Sequence, residues 1–80
     1  MFKESKAVYR KKLCELLKQI RVESGLRQVE LAKRLGKHQS YVSKYENGEK
    51  RLDLIEIKMF CLAIGISVRK LVERFENSVK

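Results

Sequence analysis

Two short apolar-periodic segments flank Gly36 with almost no chain between them, and that spacing constrains the fold more than any other feature. Val29, Leu31, Ala32 and Leu35 recur at helical spacing over residues 28–35. A second helix is predicted from Gln39 to about Asn47, where Asn47-Gly48 closes it. Only Lys37 and His38 separate Gly36 from that segment, so the two helices must cross steeply. A steep crossing needs a small residue where the helices touch, which Ala32 supplies. The sharp turn needs a residue tolerant of positive φ, which Gly36 supplies. Val42 and Tyr45 then face inward.

Three more helices surround this pair. From Val8 to Glu23, Tyr9, Leu13, Leu16, Leu17 and Ile20 share one face, and Ser24-Gly25 stops the helix so that Leu26 packs back on its last turn. Asp53 is a good N-cap with Glu56 at the capping-box position, which predicts a helix from Leu54 to Ile64, ended by Gly65. Ser67 caps a fifth helix, Val68 to about Phe75. With no Pro or Trp and only four Gly, an all-helical fold is favoured over a sheet. Eighty residues fit a single domain, 1–80, with no repeat or linker. Cys14 and Cys61 lack a metal-ligand spacing and have only His38 beside them, so no metal or cofactor is expected and both read as small buried apolar residues.

Nineteen Lys and Arg against ten Asp and Glu leave a net charge of +9, which for so small a domain points to a polyanion as partner. No 18-residue apolar run exists and Met1 to Arg10 has no leader-like apolar core, so neither a membrane span nor a signal peptide is expected, and the location is read as cytoplasmic. Residues 31–45 carry Lys33, Arg34, Lys37 and Lys44 and no acid, so that stretch approaches phosphate without repulsion. No paired carboxylates, Ser-His-Asp or Cys-His set, or glycine-rich phosphate loop supports an enzyme.

Gln28, Ala32, Gly36, Val42, Glu46 and Gly48 stand in one register that resembles the phage-repressor and Cro-like (XRE-type) helix-turn-helix family, and the likeness runs from about Leu17 to Leu71. It implies an all-α, five-helix, lambda-repressor-like DNA-binding domain with its helix-turn-helix at about 28–47. The implied function is that of a sequence-specific transcription regulator, most simply a repressor, whose third helix enters the major groove. Carried over, the base-contacting positions are Gln39, Ser40, Ser43 and Lys44. Gln pairs with adenine N6/N7, Lys donates to guanine O6/N7, and Ser donates or accepts. Phosphate contacts fall to Gln28 at the N-terminus of the second helix and to Lys37, Asn47, Lys50 and Arg51 around the reading helix. The family usually has a capping Ser, Thr or Asn where this chain has Arg27, a cation at the positive end of a helix costing about 1 kcal/mol, which a nearby phosphate would offset. Arg21 and Glu46 stand where the family joins its first helix to the end of its third by an ion pair, whose value as a surface pair would be under about 1 kcal/mol. His38 is given no role.

The fourth helix is apolar on two sides. Leu54, Ile57, Phe60, Cys61 and Ile64 form the stripe expected to face the core, while Ile55, Met59 and Leu62 form a second stripe. That second stripe needs a cover, either the fifth helix or a second copy of the chain. Phe75 and Val79 extend the apolar surface and favour a homodimer reading an inverted-repeat operator. Two other classes share these residues: a protein-interaction module such as an antitoxin or adaptor, and charge-driven binding to RNA or a membrane surface. Salt-sensitive, sequence-selective binding to duplex DNA separates both from the DNA reader.

Overall fold

A computed structural model of the chain describes residues 6–80. Residues 1–5, part of the stretch read for a leader and of the expected domain, lie outside the described residues. Five α-helices follow one another: α1 (Lys6–Glu23), α2 (Gln28–Leu35), α3 (Gln39–Glu46), α4 (Leu54–Ile64) and α5 (Val68–Ser78), with no strand among the described residues. α5 runs three residues past Phe75, where the apolar periodicity ends but no helix breaker intervenes.

Local chemistry sets most of the boundaries. At the start of α4, Asp53 Oδ1 accepts from the Glu56 N–H at 2.8 Å while Glu56 Oε1 accepts from the Asp53 N–H at 2.9 Å, a reciprocal capping box. Ser67 Oγ accepts from the Lys70 N–H at 3.0 Å and opens α5. Gly36 closes α2 at φ 69°, with the Lys37 N–H on Ala32 O at 2.9 Å and its own N–H on Lys33 O at 3.1 Å. That left-handed turn swings the chain directly into α3. Gly48 ends α3 in the same manner at φ 82°, the Glu49 N–H reaching Lys44 O at 2.8 Å.

The core is one cluster drawn from all five helices: Leu16, Leu17 and Ile20 of α1, Leu31 and Ala32 of α2, Val42 and Tyr45 of α3, Ile57, Phe60 and Cys61 of α4, and Leu71 of α5. Ala32 is 1% exposed where α2 packs on α3, leaving no room for a larger side chain. Tyr45 is held edge-on between Tyr41 and Phe60, with ring centroids 5.7 and 6.3 Å away. Two ties between distant segments reinforce the packing. Arg74 of α5 makes a two-pronged contact with Glu23 at the end of α1, at 2.8 and 3.0 Å, and Arg34 of α2 donates to Ala63 O of α4 at 2.9 Å.

Two expectations change here. Leu54 is not buried in the core: it is 69% exposed, at the rim of an apolar groove between α1, α4 and α5. Cys61 is buried but Cys14 only half-buried, and both thiols are pushed up in pKa chiefly by desolvation. Of the two covers open to the second stripe of α4, the fifth helix does not supply one, since Ile55, Met59 and Leu62 remain 70, 47 and 61% exposed. Phe75 is half-buried against the chain's own core. It lines an apolar groove with Leu13, Leu54, Ile57, Val68 and Val72.

Candidate nucleic-acid interface

The outward face of α3, opposite buried Val42 and Tyr45, presents Gln39, Ser40 and Lys44 to solvent. Ser43 lies on the same arc but is half-buried, its Oγ accepting from Asn47 Nδ2 at 3.4 Å. Lys37, Asn47 and Arg51 are exposed around this face, and Lys50 is half-buried beside it. Among the described residues, no three His, Cys, Asp or Glu gather as a metal site would require.

One network ties this face to the rest of the molecule. Arg21, in the last turn of α1, donates through Nε to Glu46 Oε2 at 2.7 Å and through Nη2 to Glu46 Oε1 at 3.1 Å. Its Nη1 donates to Leu26 O at 2.7 Å. This is not the surface pair expected: the two side chains are 8% and 2% exposed, because the 24–27 turn and α2 close over them. Hydrogen bonding to Glu46 outweighs desolvation and holds the Arg21 guanidinium above its ordinary pKa. Glu46 therefore places no bare anion near the reading face.

Gln28 Nε2 donates to Glu46 Oε1 at 2.9 Å, and Gln39 Nε2 donates to Gln28 Oε1 at 2.5 Å. The direction of this relay follows from chemistry. A carboxylate only accepts, so Gln28 must turn its amide nitrogen to Glu46 and its oxygen to Gln39, which must answer with nitrogen. Gln39 is left with Oε1 and one amide hydrogen free, the acceptor and donor that an adenine edge requires. Family register pairs Arg21 with Glu46 but gives Gln28 and Gln39 separate roles, whereas the fold joins all four in one chain of hydrogen bonds.

Arg27 is 77% exposed on its side chain, extended at φ −79°, and caps nothing. Glu30 compensates in part by accepting the Arg27 N–H at 2.8 Å, and that bond, with the Arg27 side chain, holds its carboxyl below the usual range. The cations of the surrounding loops are also organised. Lys37 and Lys50 both lie over the ring of Tyr41, a residue to which the sequence pattern assigned no role.

The helix-turn-helix family model matches residues 17–71, more than half of the chain and all of this face. The chain belongs to the XRE-type helix-turn-helix family. An XRE-family like protein from Pseudomonas syringae pv. tomato is 42% identical, with 92% of this chain and 90% of that one covered at a TM-score of 0.82. The clp gene regulator ClgR from Corynebacterium glutamicum is 26% identical over 90% of this chain and 92% of its own, at a TM-score of 0.79. The restriction-modification controller protein C.Esp1396I, at 22% identity, shares the fold with a TM-score of 0.84 over 95% of this chain and 97% of that one. No curated protein matches the chain. As an XRE-type family member the protein is a DNA-binding transcription regulator, which is not an enzyme class. No helix among the described residues is long and apolar enough to cross a membrane.

Proposed function

We propose that the chain acts as one domain that binds specific duplex DNA by inserting α3 into the major groove, and that it represses transcription by occupying its operator. The observation that carries this reading is the Arg21–Glu46–Gln28–Gln39 relay, which fixes the first residue of α3, a helix whose one acid, Glu46, is paired with Arg21, and turns the adenine-matching groups of Gln39 outward. Gln39, Ser40, Ser43 and Lys44 meet base edges. Gln28, with one amide hydrogen uncommitted and its backbone N–H at a helix N-terminus, meets a phosphate, as do Arg27, Lys37, Asn47, Lys50 and Arg51.

The working unit in this proposal is a homodimer. Ile55, Met59 and Leu62 stay exposed on a face of α4 that nothing in the described chain covers, and Leu54 and Val72, 69 and 49% exposed, line an apolar groove with Phe75. Exposed apolar surface of this extent is normally covered by a partner. Two-fold pairing through it sets two reading helices about 34–36 Å apart, one turn of DNA. The controller C.Esp1396I, which shares the fold, forms a tetramer in complex with a 35 base-pair operator. Selection of bound duplexes from a random pool tests the proposal. An inverted repeat is expected to emerge, and a pool that stays unenriched despite salt-sensitive binding would refute sequence reading.

A further inference from the structure

Tyr41 projects from the side of α3 between its buried and outward faces, and its ring is fixed by edge-on packing against Tyr45. Lys37 Nζ lies 5.3 Å from the ring centroid and Lys50 Nζ 5.4 Å from it. Lys37 comes from the turn before α3 and Lys50 from the loop after it, so one aromatic ring gathers cations from both ends of the helix. Two ammonium groups brought together would repel each other. The negative faces of the ring attract both, and Glu56 steadies the arrangement, its Oε2 accepting from Tyr41 Oη at 3.4 Å and standing 3.5 Å from Lys50 Nζ. Lys50 keeps N–H donors beyond the one turned to Glu56, and Lys37 has no carboxylate partner among the described residues.

We propose that Tyr41 is a positioning residue for the DNA backbone, its ring assembling Lys37 and Lys50 into a single preformed grip on duplex phosphates. This rests on the DNA-binding reading above and adds a residue to it. The physical reason is entropy. A free lysine stem loses its rotamer freedom when it engages a phosphate, whereas stems already laid on a ring lose little more on binding. In this arrangement the aromatic ring matters and the hydroxyl is secondary.

The test uses the intact protein with a duplex selected from a random pool and an unrelated duplex. Tyr41→Leu is expected to weaken both alike by about four- to twenty-five-fold, the product of roughly two- to fivefold for each ring–cation contact. Tyr41→Phe, which keeps the ring, restores binding to within about threefold of the unmodified protein. Lys37→Ala and Lys50→Ala cost less in the Tyr41→Leu background than alone, a coupling that a purely structural tyrosine would not produce. Equal lysine costs in both backgrounds overturn the proposal, as does unweakened binding by Tyr41→Leu. Proton magnetic resonance of the unmodified, DNA-free protein tests the same arrangement: the ε-methylene protons of both lysines should be shifted upfield by the ring current, and unshifted protons overturn the grip. If the unmodified protein binds no duplex at all, the DNA-binding reading fails first. If it binds normally while the couplings are absent, only the role of Tyr41 fails.

Discussion

Replacing Glu46 with alanine removes the carboxylate that Arg21 faces and leaves a guanidinium stranded where its side chain is only 8% exposed. Removing one partner of a buried ion pair costs about 3–5 kcal/mol, against a total stability of about 5–15 kcal/mol for a domain. At this size 1 kcal/mol moves the midpoint by about 4–8 °C, so the melting temperature should fall by roughly 12–40 °C. Thermal and urea unfolding followed by far-ultraviolet circular dichroism provide the assay, run beside the double replacement Arg21→Met with Glu46→Leu. The double variant buries no unpaired charge and is expected to recover most of the lost stability. It should nevertheless bind a selected operator at least about tenfold more weakly, a loss of about 1.4 kcal/mol, because Gln28 and Gln39 have lost the acceptor that orients them. A Glu46→Ala protein melting within about 2 °C of the original would refute the argument that the buried pair sustains the fold. A double variant as unstable as the single one would show that a stranded charge is not the cause.

Ala32→Leu should cost roughly 1–3 kcal/mol or more, because the α2–α3 contact has no space for the added carbons, and an unchanged melting temperature would contradict that packing. Gln39→Ala and Lys44→Ala should each weaken specific binding by about 1–3 kcal/mol and relax preference at individual base pairs. Arg51→Ala should instead weaken all duplexes alike and flatten the salt slope by about one unit, and the reverse pattern would exchange the assigned roles. Met59→Glu with Leu62→Glu should yield a folded monomer in sedimentation, whereas an unmodified protein that is already monomeric at high concentration would dismiss the dimer. Burial, with Glu46 and Tyr41 adding to it and Arg21 opposing, pushes the Tyr45 phenol above its ordinary value of 10. The neutral form is favoured in the fold, so its contribution to stability is complete below pH 10 and is lost as pH rises above that value. Tyrosinate absorbance should show Tyr45 ionising only together with unfolding, and a folded protein in which all three tyrosines titrate near pH 10 would contradict this.

The features legible in the sequence are those that depend on neighbours a few residues apart. The turn at Gly36, the capping box of Asp53 and Glu56, the cap at Ser67 and the inward positions of Val42 and Tyr45 are all local, so residue type and spacing suffice to place them. Family register added the pairing of Arg21 with Glu46, but not its environment. Whether that pair is a weak surface contact or a buried anchor depends on how the 24–27 turn and α2 close over it, and only the packed structure decides that. The same holds for α4, which is apolar on two sides. Periodicity offered Leu54 to the core, while the geometry of the packed helices leaves it in solvent and turns Phe75 inward. The relay from Glu46 to Gln39, the gathering of Lys37 and Lys50 on Tyr41, and the Arg74–Glu23 tie join segments distant in the chain. Such contacts have no local signature, because each side chain alone is an ordinary polar residue on a helix or loop, and its partner exists only once the helices have packed.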